Sequence, residues 1–152
     1  MGTVNVQVRA GTEGDLAALT ELCNHYVRET AITFDTEPFT PEQRLPWLRS
    51  HPEDGSHRLL VAHAAKPGGP ATPGPPPTVA TPGATTASAT LLGYATSSAF
   101  RPKAAYATSV EVSVYVSPAA AGRGIGSLLY ERLFELSRTA PSASRAPSRS
   151  RR

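Results

Sequence analysis

The chain has 152 residues, 39% of them hydrophobic and 18% charged, with 15 basic and 12 acidic side chains and a net charge of +3. That length builds one domain and leaves little room for two. The single cysteine, Cys23, excludes an intrachain disulfide framework and a cysteine-rich zinc site. There is no apolar run of about 18 residues, so no transmembrane helix is expected. Residues 1–6 lack the positive and apolar segments of a signal peptide, and Val6 stands where an N-myristoylation signal needs Ser or Thr. The expectation is a soluble cytoplasmic protein without membrane attachment.

Charge and proline are unevenly spread. Arg145, Arg149, Arg151 and Arg152 lie in the last eight residues, and no acid follows Glu135, so residues 1–144 hold 11 basic and 12 acidic groups. Seven of the 15 prolines fall between Pro67 and Pro82. The stretch Lys66–Thr90 has one valine, no aromatic and no acid. Such a segment cannot bury enough apolar surface to offset its ordering entropy. The expected organisation is therefore a globular domain over 1–138, interrupted by a disordered insert at 66–90, and a disordered basic tail at 139–152. That leaves 113 residues for the core.

Val4, Val6 and Val8 alternate with Asn5, Gln7 and Arg9, the period of a half-buried strand. Gly11-Thr12 breaks it, with Thr12 as N-cap and acids Glu13 and Asp15 at a helix start. Leu16, Leu19, Leu22, Cys23, Tyr26 and Val27 then mark an amphipathic helix over about 13–28. Thr30–Phe34 is short and rich in β-branched residues, and leads into an irregular loop at Asp35–Pro38. Thr40-Pro41-Glu42-Gln43 has the capping-box pattern of a second helix, with Trp47 and Leu48 facing inward. Pro46 should limit that helix, and His51-Pro52 should stop it. Arg58–His63 reads as a buried strand, and Leu91 to about Ala99 as another. Between Tyr106 and Val116, Val110, Val112, Val114 and Val116 alternate with Glu111, Ser113 and Tyr115, the clearest strand pattern in the chain. After the glycine-rich turn at Ala119–Ser127, Ile125, Leu129, Leu133 and Leu136 share one helix face. The predicted order is β-α-α-β-insert-β-β-turn-α, with helices covering a mixed sheet.

Gly122-Arg123-Gly124-Ile125-Gly126 at a helix start is the pattern that carries chemistry. Glycines at spacing two let successive N–H groups point into one concavity, and the helix N-terminus adds partial positive charge. Arg123 can add a charge-assisted hydrogen bond. A nucleotide P-loop would need a lysine before Ser127, and a dinucleotide fingerprint would need a further glycine and a later acid. A coenzyme A pyrophosphate fits; a turn without ligand is the plain alternative. Glu111 taken alone reads as a solvent-facing strand carboxylate, and Cys23 as a small buried apolar residue. The four histidines lack metal-ligand spacing, so no metal is expected.

A longer series of motifs resembles the GNAT N-acetyltransferases, in particular their phosphinothricin acetyltransferase-like branch. It comprises Arg9–Leu16, Asn24–Val27, Thr33–Pro38, Gly93–Ala95, Phe100–Tyr106, Val110–Val116 and the Gly122–Gly126 turn. The resemblance implies an α+β fold with a mixed, mostly antiparallel sheet flanked by helices. It also implies acetyl-CoA as cosubstrate and transfer to the amine of a small amino-acid-like molecule. On that analogy Val114, Tyr115 and Val116 lend backbone groups to the pantetheine arm, while Gly122, Arg123, Gly124, Ile125 and Gly126 hold the pyrophosphate. Glu111 would be the general base, and a backbone N–H near Val114 would stabilise the oxyanion. Phe34, Lys103 and Tyr106 would line the acceptor pocket, with Lys103 pairing a carboxylate or phosphinate. Ordinary core packing is the alternative for Phe34 and Tyr106.

Two departures qualify the resemblance. Ala121 stands where the family usually has Arg or Gln, and a charged hydrogen bond lost there is worth roughly 1.5–3 kcal/mol. Family members also continue past this helix with further strands and a helix, which supply part of the cleft, the dimer contact and often a general-acid tyrosine. Here the sequence turns to Ser, Ala, Pro and Arg after Arg138. The expectation is a C-terminally truncated acetyltransferase missing those strands and that helix, with an exposed edge beside Glu111. The competing functional reading is an inactive module that binds coenzyme A or a partner without turnover. Homodimerisation follows from the resemblance. Ser144–Arg152 has no aromatic interleaved with its arginines, so a nucleic-acid partner is not the favoured reading.

Overall fold

The computed structural model describes residues 5–65 and 90–139. The expected insert, apart from Thr90, and the expected tail, apart from Thr139, lie outside the described residues, as does Val4. Four strands, β1 (Val6–Ala10), β2 (Arg58–Ala64), β3 (Leu91–Ala99) and β4 (Val110–Val116), form one sheet in the order β1-β2-β3-β4. Every described pairing is antiparallel. The helices are α1 (Leu16–Glu29), α2 (Pro41–Arg49) and α3 (Ile125–Thr139). The element order is the predicted one, and it gives the expected α+β architecture.

Two apolar clusters fix which helix covers which face. Leu60 and Ala62 of β2, with Leu92 and Ala95 of β3, pack against Ile125, Leu129 and Leu133 of α3. Leu59 and Val61 of β2, with Tyr94 of β3, pack against Leu19 and Leu22 of α1 and Leu48 of α2. β2 is therefore apolar on both sides, which is why it reads as a continuous hydrophobic run. The pairing slips between Ala62 and His63, where Ala62 faces Gly93 but His63 faces Leu91. The extra residue, Leu92, turns to the α3 side. Gly93 is required by close approach: a Cβ there would lie 2.7 Å from the Tyr115 carbonyl oxygen.

Local signals explain the ends. Thr12 N–H donates to Asp15 Oδ2 at 2.8 Å, closing a short 3₁₀ turn before α1 begins at Leu16. Asp15 also takes a two-pronged ion pair from Arg9 of β1, both contacts at 2.8 Å, which ties the first strand to the first helix. At α2 the reciprocal Thr40–Gln43 capping box forms as expected. Pro46 does not limit this helix; it sits inside a turn that continues to Arg49. Proline removes one backbone donor, and the strong cap together with burial of Leu48 holds the helix through it. The last strand also starts later than Tyr106: Ala104–Tyr106 is a 3₁₀ turn, and pairing begins at Val110.

Candidate active site

β4 sends its side chains to two different environments. Val112, Val114 and Val116 pack against the α3 cluster. Glu111, Ser113 and Tyr115 line a cavity of about 600 Å3 on the α1/α2 side. Cys23, Ile32, Thr33, Phe34, Asp35, Arg44, Trp47, Tyr94, Thr96, Ser98 and, between the β4 side chains, Val114 complete its wall. The cavity is thus assembled from α1, the segment after it, α2 and one face of β3 and β4.

The backbone of β4 adds a second feature. Ser117 N–H donates to Leu92 O at 2.8 Å, so that pair is hydrogen-bonded across the β3–β4 ladder. Antiparallel strands alternate bonded and non-bonded pairs. Val112, Val114 and Val116, two residues apart in register, therefore turn their N–H and C=O groups away from β3. They face the edge of β4 that pairs with no other strand among the described residues. The Tyr26 hydroxyl of α1 donates to Val116 O at this edge.

The loop beyond β4 completes the site. Gly122 and Gly124 have φ of +75° and +76°, a region costly for residues with a Cβ. A Cβ at either position would meet nothing within 4 Å, so this is an open backbone cradle. Arg123 is exposed beside it. Leu128 N–H closes the first helical bond onto Gly124 O at 3.0 Å, and the amides of the first turn of α3 have no intrahelical acceptor. An exposed concave run of N–H groups at a helix N-terminus suits a phosphate. The residues present fit a coenzyme A pyrophosphate.

Electrostatics inside the cavity come from a few groups. Burial pushes the Tyr94 and Tyr115 hydroxyls above their ordinary value, so both stay protonated at neutral pH. Their rings stack at 5.1 Å, and Tyr26 meets Tyr115 edge-on at 5.2 Å. The Arg44 guanidinium lies 3.7 Å over the Trp47 ring. His51, at the end of α2, bonds Ser98 Oγ through Nε2 at 2.9 Å. Ser98 is the cross-strand neighbour of Glu111. Asn24 clasps Phe39 through both backbone groups, at 2.8 and 2.7 Å, and so holds the segment carrying Thr33, Phe34 and Asp35 against α1.

Of the residues singled out from sequence, Glu111, Val114, Tyr115 and Phe34 meet at the cavity. Phe34 is fully exposed at its rim and does not pack in the core. Lys103 and Tyr106 lie on the exposed β3–β4 connection, where Tyr106 meets Phe100 at 5.4 Å, and neither lines the cavity. Arg44, Thr33 and Cys23 were not anticipated there. For Arg44 the available signal was the three-residue spacing to Trp47, which places both on one side of α2. Among the described residues no cluster of His, Cys, Asp and Glu could hold a metal ion, and no helix is long and apolar enough to cross a membrane.

Comparison with known proteins extends the geometry. Residues 74–146 match the model of the Acetyltransferase (GNAT) family. The chain is 59% identical over 134 residues to a phosphinothricin N-acetyltransferase of Streptomyces coelicolor, covering 88% of this chain and 66% of that one. It superposes with a TM-score of 0.66 on a ribosomal-protein-alanine N-acetyltransferase of Brucella melitensis, 31% identical, covering 87% of this chain and 67% of the other. YncA of Salmonella typhimurium, solved with its cofactor acetyl-CoA, gives the same TM-score at 28% identity, with 88% and 64% covered. The chain thus spans about two thirds of the length of these relatives.

Proposed function

The chain belongs to the GNAT acetyltransferase family, and from that premise we propose that it transfers the acetyl group of acetyl-CoA to the amine of a small amino-acid-like acceptor. Glu111 is the general base in this reading, and transfer is direct, without a covalent enzyme intermediate. One observation supports it most: a single strand presents a carboxylate to an open cleft while its free edge leads into an open glycine cradle.

The acceptor amine must be neutral to attack a carbonyl carbon. Glu111, lining the cavity, takes the proton directly or through a water. The outward Val114 N–H would be the donor for the negative charge developing on the carbonyl oxygen, and breaking the C–S bond would release coenzyme A as its thiol, balanced by the proton the amine gives up. The bound cosubstrate supplies an activated thioester. Val114 and Val116 present outward backbone for its pantetheine arm, whereas the backbone groups of Tyr115 between them pair with Tyr94 of β3 and are not offered to it, and Gly122, Arg123, Gly124, Ile125 and Gly126 hold its pyrophosphate. Cys23 stays a buried wall residue with no covalent step to perform. Phe34 closes the acceptor side at the rim, while Lys103 and Tyr106, on the connection leading into Glu111, lie outside the cavity and have no part in this reading.

The test is calorimetric titration with acetyl-CoA followed by thiol release with a panel of amino acids that includes L-phosphinothricin. Binding with acceptor-dependent release is the expected result. Binding without release for every acceptor would overturn turnover and leave a coenzyme A-binding module.

A further inference from the structure

We propose that Arg44 is the group that anchors the carboxylate of the acceptor, which makes the cavity selective for amino acids over simple amines. The inference rests on the acetyl-transfer reading of this cavity and adds the part of the acceptor that reading leaves unassigned. Among the residues lining the cavity, Arg44 is the one basic side chain, set against the acids Glu111 and Asp35. The guanidinium neighbours the Tyr94 hydroxyl and interacts with it as a hydrogen-bond donor, but its Nε and Nη2 are buried with no acceptor of good geometry among the described residues. A buried guanidinium edge without an acceptor is costly, and a carboxylate offsets that cost.

The geometry specifies the ligand chemistry. Stacking on Trp47 at 3.7 Å uses the face of the guanidinium and leaves its edge available. Nε–H and Nη2–H are the two parallel donors along one in-plane edge of the guanidinium, the fork that fits both oxygens of a carboxylate. Thr33 Oγ1, also buried without a partner, lines the same cavity and supplies a further donor. Both nitrogens are closed to water in this arrangement, so engagement requires a small shift of the guanidinium. The segment carrying Thr33 is anchored at Phe39 by Asn24 but exposes Ile32 and Phe34. An acceptor held this way has its carboxylate at α2 and its amine free to turn toward β4. Lys103, exposed and outside the cavity, is not placed for this role.

The test compares L-phosphinothricin and L-methionine sulfone, each against its own decarboxylated amine, in the presence of coenzyme A. Binding is followed through Trp47, the only tryptophan in the chain. The wild-type chain should prefer each amino acid over its amine by roughly 10- to 100-fold. Arg44→Gln should abolish that preference, Arg44→Lys should restore part of it, and neither should change coenzyme A affinity. Trp47 emission of the wild-type chain should respond to the amino acids far more than to the amines, which tests the proposal without any variant. Equal binding of amino acid and amine by the wild type, failure to bind either, or a preference that survives Arg44→Gln would overturn it. Thiol release is read separately: carboxylate-dependent binding without release defeats the acetyl-transfer reading and leaves the anchor standing.

Discussion

The two faces of the sheet are built from the same strands and do opposite work. On the α3 face, Ile125, Leu129 and Leu133 close over Leu60, Ala62, Leu92 and Ala95, and every buried member of the cluster is apolar. On the α1/α2 face, packing is interrupted by a cavity of about 600 Å3 whose wall includes acids, hydroxyls, phenols and a guanidinium. The same strands that carry these groups are packed on their other side by α3. β4 makes the division most clearly, with valines to the closed face and Glu111, Ser113 and Tyr115 to the open one.

Replacing Glu111 with Gln should give the largest effect. Loss of a general base lowers turnover by roughly 10²- to 10⁴-fold. Glu111 is exposed, so the melting temperature should scarcely move. Thiol-release rates and a thermal melt on the same sample check both halves. A melting shift comparable to that of a core variant would mean that Glu111 belongs to the scaffold.

Leu129→Ala makes the opposite cut, on the closed face. Leu129 has no exposed surface, and truncating a buried leucine costs about 2–5 kcal/mol. Chemical denaturation should show that loss, while coenzyme A affinity per folded molecule stays near wild type. Gly124→Ala should have a smaller cost, about 1–2 kcal/mol, because its φ of +76° disfavours a Cβ. Its distinguishing signature is weaker coenzyme A binding by calorimetry, since space alone would admit the methyl group.

The contrast between the faces also explains what could be read from sequence. Alternation along β4 gave both of its faces, because a strand's period of two is local. The Gly122–Gly126 cradle was legible for the same reason: glycine spacing and a helix start lie within five residues. The far wall of the cavity was not legible. Arg44 and Glu111 are separated by 67 positions and meet only because α2 docks beside Tyr94, a tertiary fact without a sequence period. Pro46 misled in a related way: backbone propensity argues against a helix interior, and tertiary burial of Leu48 with the Thr40–Gln43 cap prevails.

The smallest expected effect separates the faces by pH. His51 Nδ1–H donates to the Trp47 carbonyl at 2.7 Å, and Nε2 meets the Ser98 hydroxyl at 2.9 Å, which can donate to the neutral ring or accept from the charged one. Burial lowers its pKa below the ordinary value near 6.5, outweighing the opposing pull of the Trp47 carbonyl. The stability tied to the neutral ring is therefore complete above about pH 6.5 and is lost as pH falls through that value toward the folded-state pKa. Asp15 acts in a lower window. Burial would raise its pKa, but Arg9 and Thr12 outweigh it and hold the carboxyl below its ordinary value, so its contribution fades only below about pH 3.9. No buried member of the α3 cluster titrates. From about pH 7.5 to 5.5, amide protection, taken relative to the intrinsic exchange rate at each pH, should fall in α2 before α3, and His51→Gln should remove that difference. Equal loss of protection in both helices would show that the two faces open as one unit and that His51 does not govern the docking of α2.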